Sequence, residues 1–316
     1  MKSIVKSLAF ILTLFLLCHC EKDEPIPNVT IPDENFLFAL IELGIDTNRD
    51  SIISPTEAEV VQCLDLPEKD ISDLTGIESF INLDTLNCYQ NNLTTLNLAS
   101  NKKLKTLICI GNQITNLDVS ENVLLTDLHC WSNEIASLDV SKNLELEFLG
   151  CHYNQLTDLD ITNNTLLKKL ICSSNQLTNL DVSSNTSLAY IDCGYNQIGN
   201  IDISDNMELA YFNCSNNLIK AIDLSANTIL EHLYCNQNQI DTLDIIHLSE
   251  LWSIGAAENL LNYLDLSRNI ELETIDLHGM QTLKKVCVWD LPFPPEGVWV
   301  DTTGSTNVSF TIDCSF

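Results

Sequence analysis

The chain has 316 residues, and 15 Lys and Arg face 44 Asp and Glu, a formal net charge of -29 at pH 7. So acidic a chain repels phosphate backbones, and no basic stripe with interleaved aromatics interrupts it, so nucleic acid is not an expected partner. Glycine is scarce, and there is neither a Gly-rich phosphate loop nor a G-x-S-x-G nucleophile elbow.

Residues 1–20 read as a leader. Met1-Lys2-Ser3-Ile4-Val5-Lys6 is a positive start, and Leu8 to Leu17 is an apolar run too short to span a bilayer comfortably. The run ends in Cys18-His19-Cys20, followed by Glu21-Lys22-Asp23-Glu24. This resembles a bacterial lipoprotein signal, in which cleavage before a cysteine leaves that cysteine acylated. Cys20 is the expected lipidation site because Leu17 stands three before it; Cys18 and a plain secretory signal are the alternatives. The acidic run after Cys20 is similar to the export signal of Bacteroidota lipoproteins. That resemblance implies a lipid anchor in the outer membrane with the protein on the cell surface. No other stretch is apolar enough to cross a bilayer.

Residues 21–30 are polar and contain proline, as a tether would. Residues 31–70 are expected to form a helical cap. Pro32-Asp33-Glu34-Asn35 opens a helix whose apolar face is Phe36, Leu40 and Leu43, and Gly44 ends it. The segment Asp46 to Glu57 then resembles an EF-hand loop. Oxygen side chains recur at Asp46, Asn48 and Asp50, Ile52 would offer a backbone carbonyl, and Glu57 would close the shell around Ca2+. Ser51 stands where that family has glycine. A second reading needs no metal: Ser54-Pro55-Thr56-Glu57 is a capping box with Pro at the first helical position. A second helix is expected over Pro55 to Cys63.

From residue 71 to 283 the chain is dominated by one unit of 21 residues, with nine full copies starting at Leu86, Leu107, Leu128, Leu149, Leu170, Ile191, Phe212, Leu233 and Ile254. A fixed period of this length means a solenoid. The pattern L-x-C-x-x-N-x-L-x-x-L-D-V-S-x-N resembles the leucine-rich repeat, with Cys where that family often has Leu. The divergent first coil, from Ile71 to Leu83, is similar to that of internalin-like proteins. The fold class is therefore an α/β repeat solenoid, a leucine-rich repeat with a parallel sheet on its concave face. Each copy opens with a short strand; nine strands at about 4.8 Å make a sheet roughly 40 Å long.

Three columns recur in register. Cys88 to Cys235 stand at the second inward strand position of eight coils, with Ala256 in the ninth. Small apolar core residues are the expected role, since stacked Cβ atoms near 4.8 Å exceed the roughly 3.8 Å of a disulfide. Asn91 to Asn259 follow the strands and are expected to serve turn backbone in two successive coils. Asp118 to Asp265 line the convex side and are expected to accept N–H bonds from their own turns.

Side chains alternate along a strand, so His129 and Trp131 point away from the core that Leu128 and Cys130 enter. Such outward positions carry Tyr89, His129, Trp131, His152, Tyr153, Tyr195 and Tyr234, with Phe148, Tyr190, Tyr211 and His232 one column over. Aromatics among polar neighbours are typical of recognition surfaces. The expected function is non-catalytic binding of a protein partner, as adhesion by internalin-like proteins implies; a glycan ligand is the alternative. No nucleophile–base pair is legible. Residues 284–316 are expected to form a β cap in which Val298-Trp299-Val300 and Val308 to Ile312 cover the last coil. Cys287 and Cys314 sit near its two ends and either pair or stay free.

Overall fold

The computed structural model describes residues 28–306 and 308–315. The leader, Cys20 and most of the tether lie outside the described residues.

Most coils begin with a strand of three residues in which the central side chain is fully buried and its neighbours are half-buried, as in Asp127–His129 and Tyr190–Asp192. The strands stack in parallel and in chain order into one twelve-stranded sheet. The register pairs Leu86 with Leu107, Leu107 with Leu128, and so on, so every core residue meets its own counterpart one coil away. This is the leucine-rich repeat architecture. The coils return by turns rather than helices; the two α-helices of the described residues are confined to the N-terminal cap.

The cysteine column is core. Cys88, Cys109, Cys130, Cys151, Cys172, Cys193, Cys214 and Cys235 are fully buried with free thiols. Burial pushes the thiols of Cys109, Cys151 and Cys235 up to about 12, so they carry no thiolate at neutral pH.

The first asparagine column stitches coils together. The Asn133 amide donates to the Cys109 carbonyl (2.9 Å) and the Cys130 carbonyl (3.1 Å), and its Oδ1 accepts from the Ile114 N–H (3.0 Å). A second column, from Asn101 through Asn269, does the same on the opposite side: the Asn143 amide donates to the carbonyls of Val119 (3.1 Å) and Asn122 (2.9 Å). These asparagines are fully buried, and their Oδ1 atoms have no hydrogen-bonding partner among the described residues, a tolerable state for a carbonyl oxygen. On the convex side each aspartate accepts from the backbone N–H two residues on, for example Asp181 from Ser183 (3.0 Å).

The cap differs from the sequence expectation at three points. In α1 (Glu34–Glu42) the buried face is Phe36, Ala39 and Leu40, while Leu43 is half exposed because Gly44, with φ +74°, turns the chain away. The second helix, α2 (Pro55–Ala58), is a single turn. The chain then leaves it to supply Cys63–Asp65 as the first strand of the main sheet, since backbone pairing with Thr85–Asn87 satisfies more donors than another helical turn would. The packed body also starts before residue 31: the Val29 N–H bonds the Ile53 carbonyl (2.9 Å), and Ile31 lies over Gly76. Gly76, at φ +107°, has no room for a Cβ, which would stand 2.8 Å from Ile31 and 2.9 Å from the Thr30 carbonyl.

At the other end, residues 284–316 supply the two short strands expected of the cap, and both continue sheets of the solenoid. Trp299–Asp301 joins the main sheet beside Thr274–Asp276, and Ser309–Thr311 extends a three-stranded convex sheet with Lys285–Cys287 and Tyr263–Asp265. The register step from Ile275 to Val300 exceeds the usual period because residues 291–296 loop out. That loop inserts Phe293 between Trp289 (5.1 Å between centroids) and Phe310 (4.9 Å), and these rings cover the open end of the core. Cys287 and Cys314 form a disulfide, with Cα atoms 5.4 Å apart.

Candidate functional site on the concave face

Parallel strands spaced about 4.8 Å apart hold in-register side chains at ring-stacking distance. One outward column uses this over five coils: Phe148, Lys169, Tyr190, Tyr211 and His232 are successive register partners. Tyr190 and Tyr211 stack face to face at 4.0 Å, and the Lys169 Nζ lies 4.2 Å from the Tyr190 centroid and 5.9 Å from that of Phe148. The lysine thus bridges two aromatic groups through cation–π contacts, each worth about 0.5–2 kcal/mol.

The N-terminal group is built by alternating stacks. His129 stacks on Phe148 at 4.3 Å, Trp131 stacks on His152 at 4.8 Å, and Tyr153 leans on His152 at 5.5 Å. Gly150 makes this possible. It stands in register between His129 and Ile171, and a Cβ there would fall 3.0 Å from the Phe148 ring and 3.1 Å from Trp131. The C-terminal group adds Tyr234, 5.6 Å from Tyr211, and Trp252, edge-on to His232 at 5.3 Å.

Beside Tyr190 and Tyr211 lies a polar floor. The Asp192 carboxylate accepts from the Gly194 N–H (3.1 Å), the Asn213 amide (3.0 Å) and the Ser173 hydroxyl (3.2 Å). Burial raises its pKa above the ordinary carboxylate value, and those three donors oppose the rise. Burial also lowers the imidazoles: His152 falls to about 4, and His129 falls despite the opposing charge of Asp127. The neutral imidazoles of His129 and His152 and the un-ionised phenols of Tyr190 and Tyr211 make this a surface for shape and stacking around one cation, Lys169, with isolated hydrogen-bonding groups.

Five of the seven candidate residues enter these groups: His129, Trp131, His152, Tyr153 and Tyr234. Tyr89 and Tyr195 do not. Tyr89 lies two coils before Trp131 and joins neither group. Tyr195 occupies the turn that each coil makes in the left-handed region, with φ +54°, and stands 61 % exposed beyond the sheet. Tyr153 shares that turn position at φ +51° and reaches back to His152. Sequence reasoning missed Lys169, Gly150, Asp192, Asn213 and Trp252. The signal for Lys169 was present, since it falls in the column of Phe148 and Tyr190.

At the other end of the molecule, the Asp46–Glu57 loop is closed on itself. Asp46, 8 % exposed, accepts from the N–H groups of Arg49 (2.7 Å), Asp50 (3.2 Å) and Ser51 (2.9 Å). Glu57 accepts from Thr47 on one oxygen and from Ser54 on the other, bonds that hold its carboxyl at about 2. Asp50 bonds Asn48 and the Ile52 N–H. Ser51 adopts φ +64°, the backbone state for which a glycine is favoured. The donor types suit a hard cation, but both Glu57 oxygens already hold loop donors, so this carboxylate closes the capping box as it stands.

No family model matches the chain, and no curated protein matches it. Among solved structures, it is similar to the functional domain of InlJ from Listeria monocytogenes, which includes a cysteine ladder. Identity is 29 % over 90 % of this chain and 73 % of that one, with a TM-score of 0.73. The internalin InlF of the same organism aligns at 19 % identity over 85 % of this chain and 95 % of that one, with a TM-score of 0.58. The ectodomain of the plant receptor kinase GASSHO1/SCHENGEN3 from Arabidopsis thaliana was solved in complex with CASPARIAN STRIP INTEGRITY FACTOR 2. It aligns at 20 % identity over 75 % of this chain and 34 % of that one, with a TM-score of 0.65. The chain has the leucine-rich repeat fold, and its structural neighbours include internalin-type proteins.

Proposed function

We propose that this chain is a non-catalytic binding protein that takes a protein partner on its concave face. The observation that carries the reading is the aromatic column with Lys169 at its centre. It places large, rigid side chains at low entropic cost along one surface, and such residues supply most of the energy at protein interfaces. A structural neighbour solved in complex with a named factor is consistent with this use of the fold. A glycan is the second reading, favoured by Asp192 and Asn213 lying beside Tyr190 and Tyr211, a hydrogen-bonding pair next to stacking rings.

The test is immobilised parent protein against panels of extracellular proteins and of glycans, run beside Trp131→Ala and Tyr211→Ala. Binding to a protein that both variants weaken by about tenfold or more, without competition by free sugars, supports the first reading. Competition by sugars transfers the site to glycans. Binding untouched by either variant removes the concave face from consideration.

The leader and Cys20 support a lipid-anchored, surface-exposed placement in the outer membrane. Mass spectrometry of the membrane-extracted protein would show an acylated Cys20, and a Cys20→Ala variant would leave the membrane fraction. Among the described residues no helix is long and apolar enough to cross a membrane. Calcium at Asp46, Asn48, Asp50, Ile52 and Glu57 rests on the alternating oxygen donors. In calorimetry, a melting temperature that rises with calcium in the parent but not in Asp46→Ala/Asp50→Ala supports it, and no shift in either leaves a capped turn.

A further inference from the structure

The C-terminal end of the concave face carries a group of side chains that neither aromatic cluster includes. Asp276 and Asp301 are register partners on adjacent strands, so their side chains leave the sheet on the same face. His278 follows Asp276 by two residues and shares that face. Its Nδ1 lies 2.7 Å from an Asp276 oxygen, and its Nε2 lies 3.2 Å from a Glu258 oxygen contributed by the preceding coil. One ligand atom each from Asp276, His278 and Asp301 lies within 4.8 Å of the others. The other group of comparable geometry, Asp265 with Cys287 and Cys314, has its sulfurs bonded to each other.

We propose that Asp276, His278 and Asp301 form a binding site for a divalent transition metal, with Glu258 as the residue that orients the imidazole. The chemistry of the donors supports it in three ways. A mixed nitrogen and carboxylate set is suited to zinc and its neighbours, whereas calcium and magnesium sites are built from oxygen alone. Three protein ligands leave coordination positions for water or for a group on a bound partner. A ring nitrogen facing the ligands, with the other held by a carboxylate, is the arrangement that orients a metal-binding histidine. Three carboxylates gathered about one imidazole also leave an excess of negative charge that a divalent ion offsets.

The site joins three consecutive coils. Glu258 comes from one, Asp276 and His278 from the next, and Asp301 from the last strand of the main sheet. A bound ion therefore ties the terminal coil to the two before it, at the end where a linear array has neighbours on one side only.

The experiment is a calorimetric titration of Zn2+ into the full chain, with Co2+ as a spectroscopic substitute. We expect one ion per chain, a higher melting temperature with zinc, and affinity lowered by about tenfold or more in His278→Ala and in Asp301→Asn. Asp46→Ala and Cys63→Ser should bind as the parent does, which separates this site from the N-terminal loop and from the exposed thiol. Bound cobalt should show d–d bands without a thiolate charge-transfer band. Asp301→Asn keeps the size of the side chain, so a variant that melts like the zinc-free parent yet fails to bind supports the site. Absence of saturable binding to the parent overturns the proposal. So does binding that survives both substitutions, or binding lost in Cys63→Ser.

Discussion

The convex and concave faces are made by the same coils and teach opposite lessons. On the convex side one residue type does one job repeatedly: Asp118, Asp139, Asp160, Asp181, Asp202 and Asp223 each accept from the Ser or Thr N–H two positions on. Those bonds lower the Asp181 pKa through the Ser183 hydroxyl and N–H together, and a like-charged column is tolerable because each carboxylate is exposed and locally satisfied. On the concave side the corresponding column runs Asp127, Phe148, Lys169, Tyr190, Tyr211 and His232, changing at every step but one. Repetition marks what each turn of backbone needs for itself. Variation marks positions the backbone leaves free, and there the contacts run between coils.

The sharpest way to break the comparison is to remove an element both faces depend on. Asn133→Ala takes away bonds to the Cys109 and Cys130 carbonyls and the Ile114 N–H, all buried. The Ile114 N–H is orphaned, while the two carbonyls keep the amides of Asn112 and Asn154. At about 1–3 kcal/mol for the orphaned donor and about 0.5–1.5 kcal/mol for each lost carbonyl bond, a loss of roughly 2–6 kcal/mol is expected in urea unfolding, with aromatic stacking and convex turns affected alike. A concave change of intermediate size is Gly150→Val. The new side chain would collide with Phe148 and Trp131, costing about 1–3 kcal/mol and altering the tryptophan emission, while a valine at exposed Gly199, where a Cβ has open space, would leave emission unchanged.

Acid should separate the faces next. His152 is neutral and half-buried, with its pKa depressed to about 4 from an ordinary 6.5. Between those values the unfolded chain binds a proton that the folded chain refuses, so this contribution is present above about pH 6.5 and is lost as pH falls toward 4. His152→Phe should flatten the dependence of melting temperature on pH across that window; an identical slope in the variant would mean that the imidazole titrates normally. On the convex face, Asp181→Asn keeps an acceptor for Ser183 and should shift the melting temperature by less than about 2 °C. The smallest effect is expected of Tyr195→Gly. Relief of its left-handed backbone, worth about 1 kcal/mol, is offset by the about 0.5–1 kcal/mol of chain entropy that glycine loses, so stability should stay level while binding at the concave face reports whether the ring is used.

Much of this was legible in the residues alone. Leu128, Cys130 and Asn133 recur at one period, and stacking at one period makes each residue's neighbour its own copy, so burial, register and the cysteine column follow without coordinates. The Asp33 side chain that opens α1 was legible as a cap, bonding the Phe36 N–H at 2.9 Å, but not as the tie between helix and solenoid that its second oxygen makes with Ser72. The helix expected to reach Cys63 failed because the free edge of a sheet, a tertiary feature, competed for that backbone. Leu43 failed because a C-terminal glycine redirected the chain.

What the sequence by itself determined is the solenoid: its period, its inward and outward columns, and the self-sufficiency of each turn, since these depend on backbone geometry within one coil and on repetition. Only the tertiary structure decided how the irregular parts meet. It placed Lys169 between two rings, emptied a space at Gly150 for Phe148 and Trp131, and carried Trp299–Asp301 into the main sheet past an inserted loop. That insertion breaks the period by which Asp301 could have been matched to Asp276. Its meeting with His278 and Glu258 depends on where an aperiodic segment packs, which no repeat encodes.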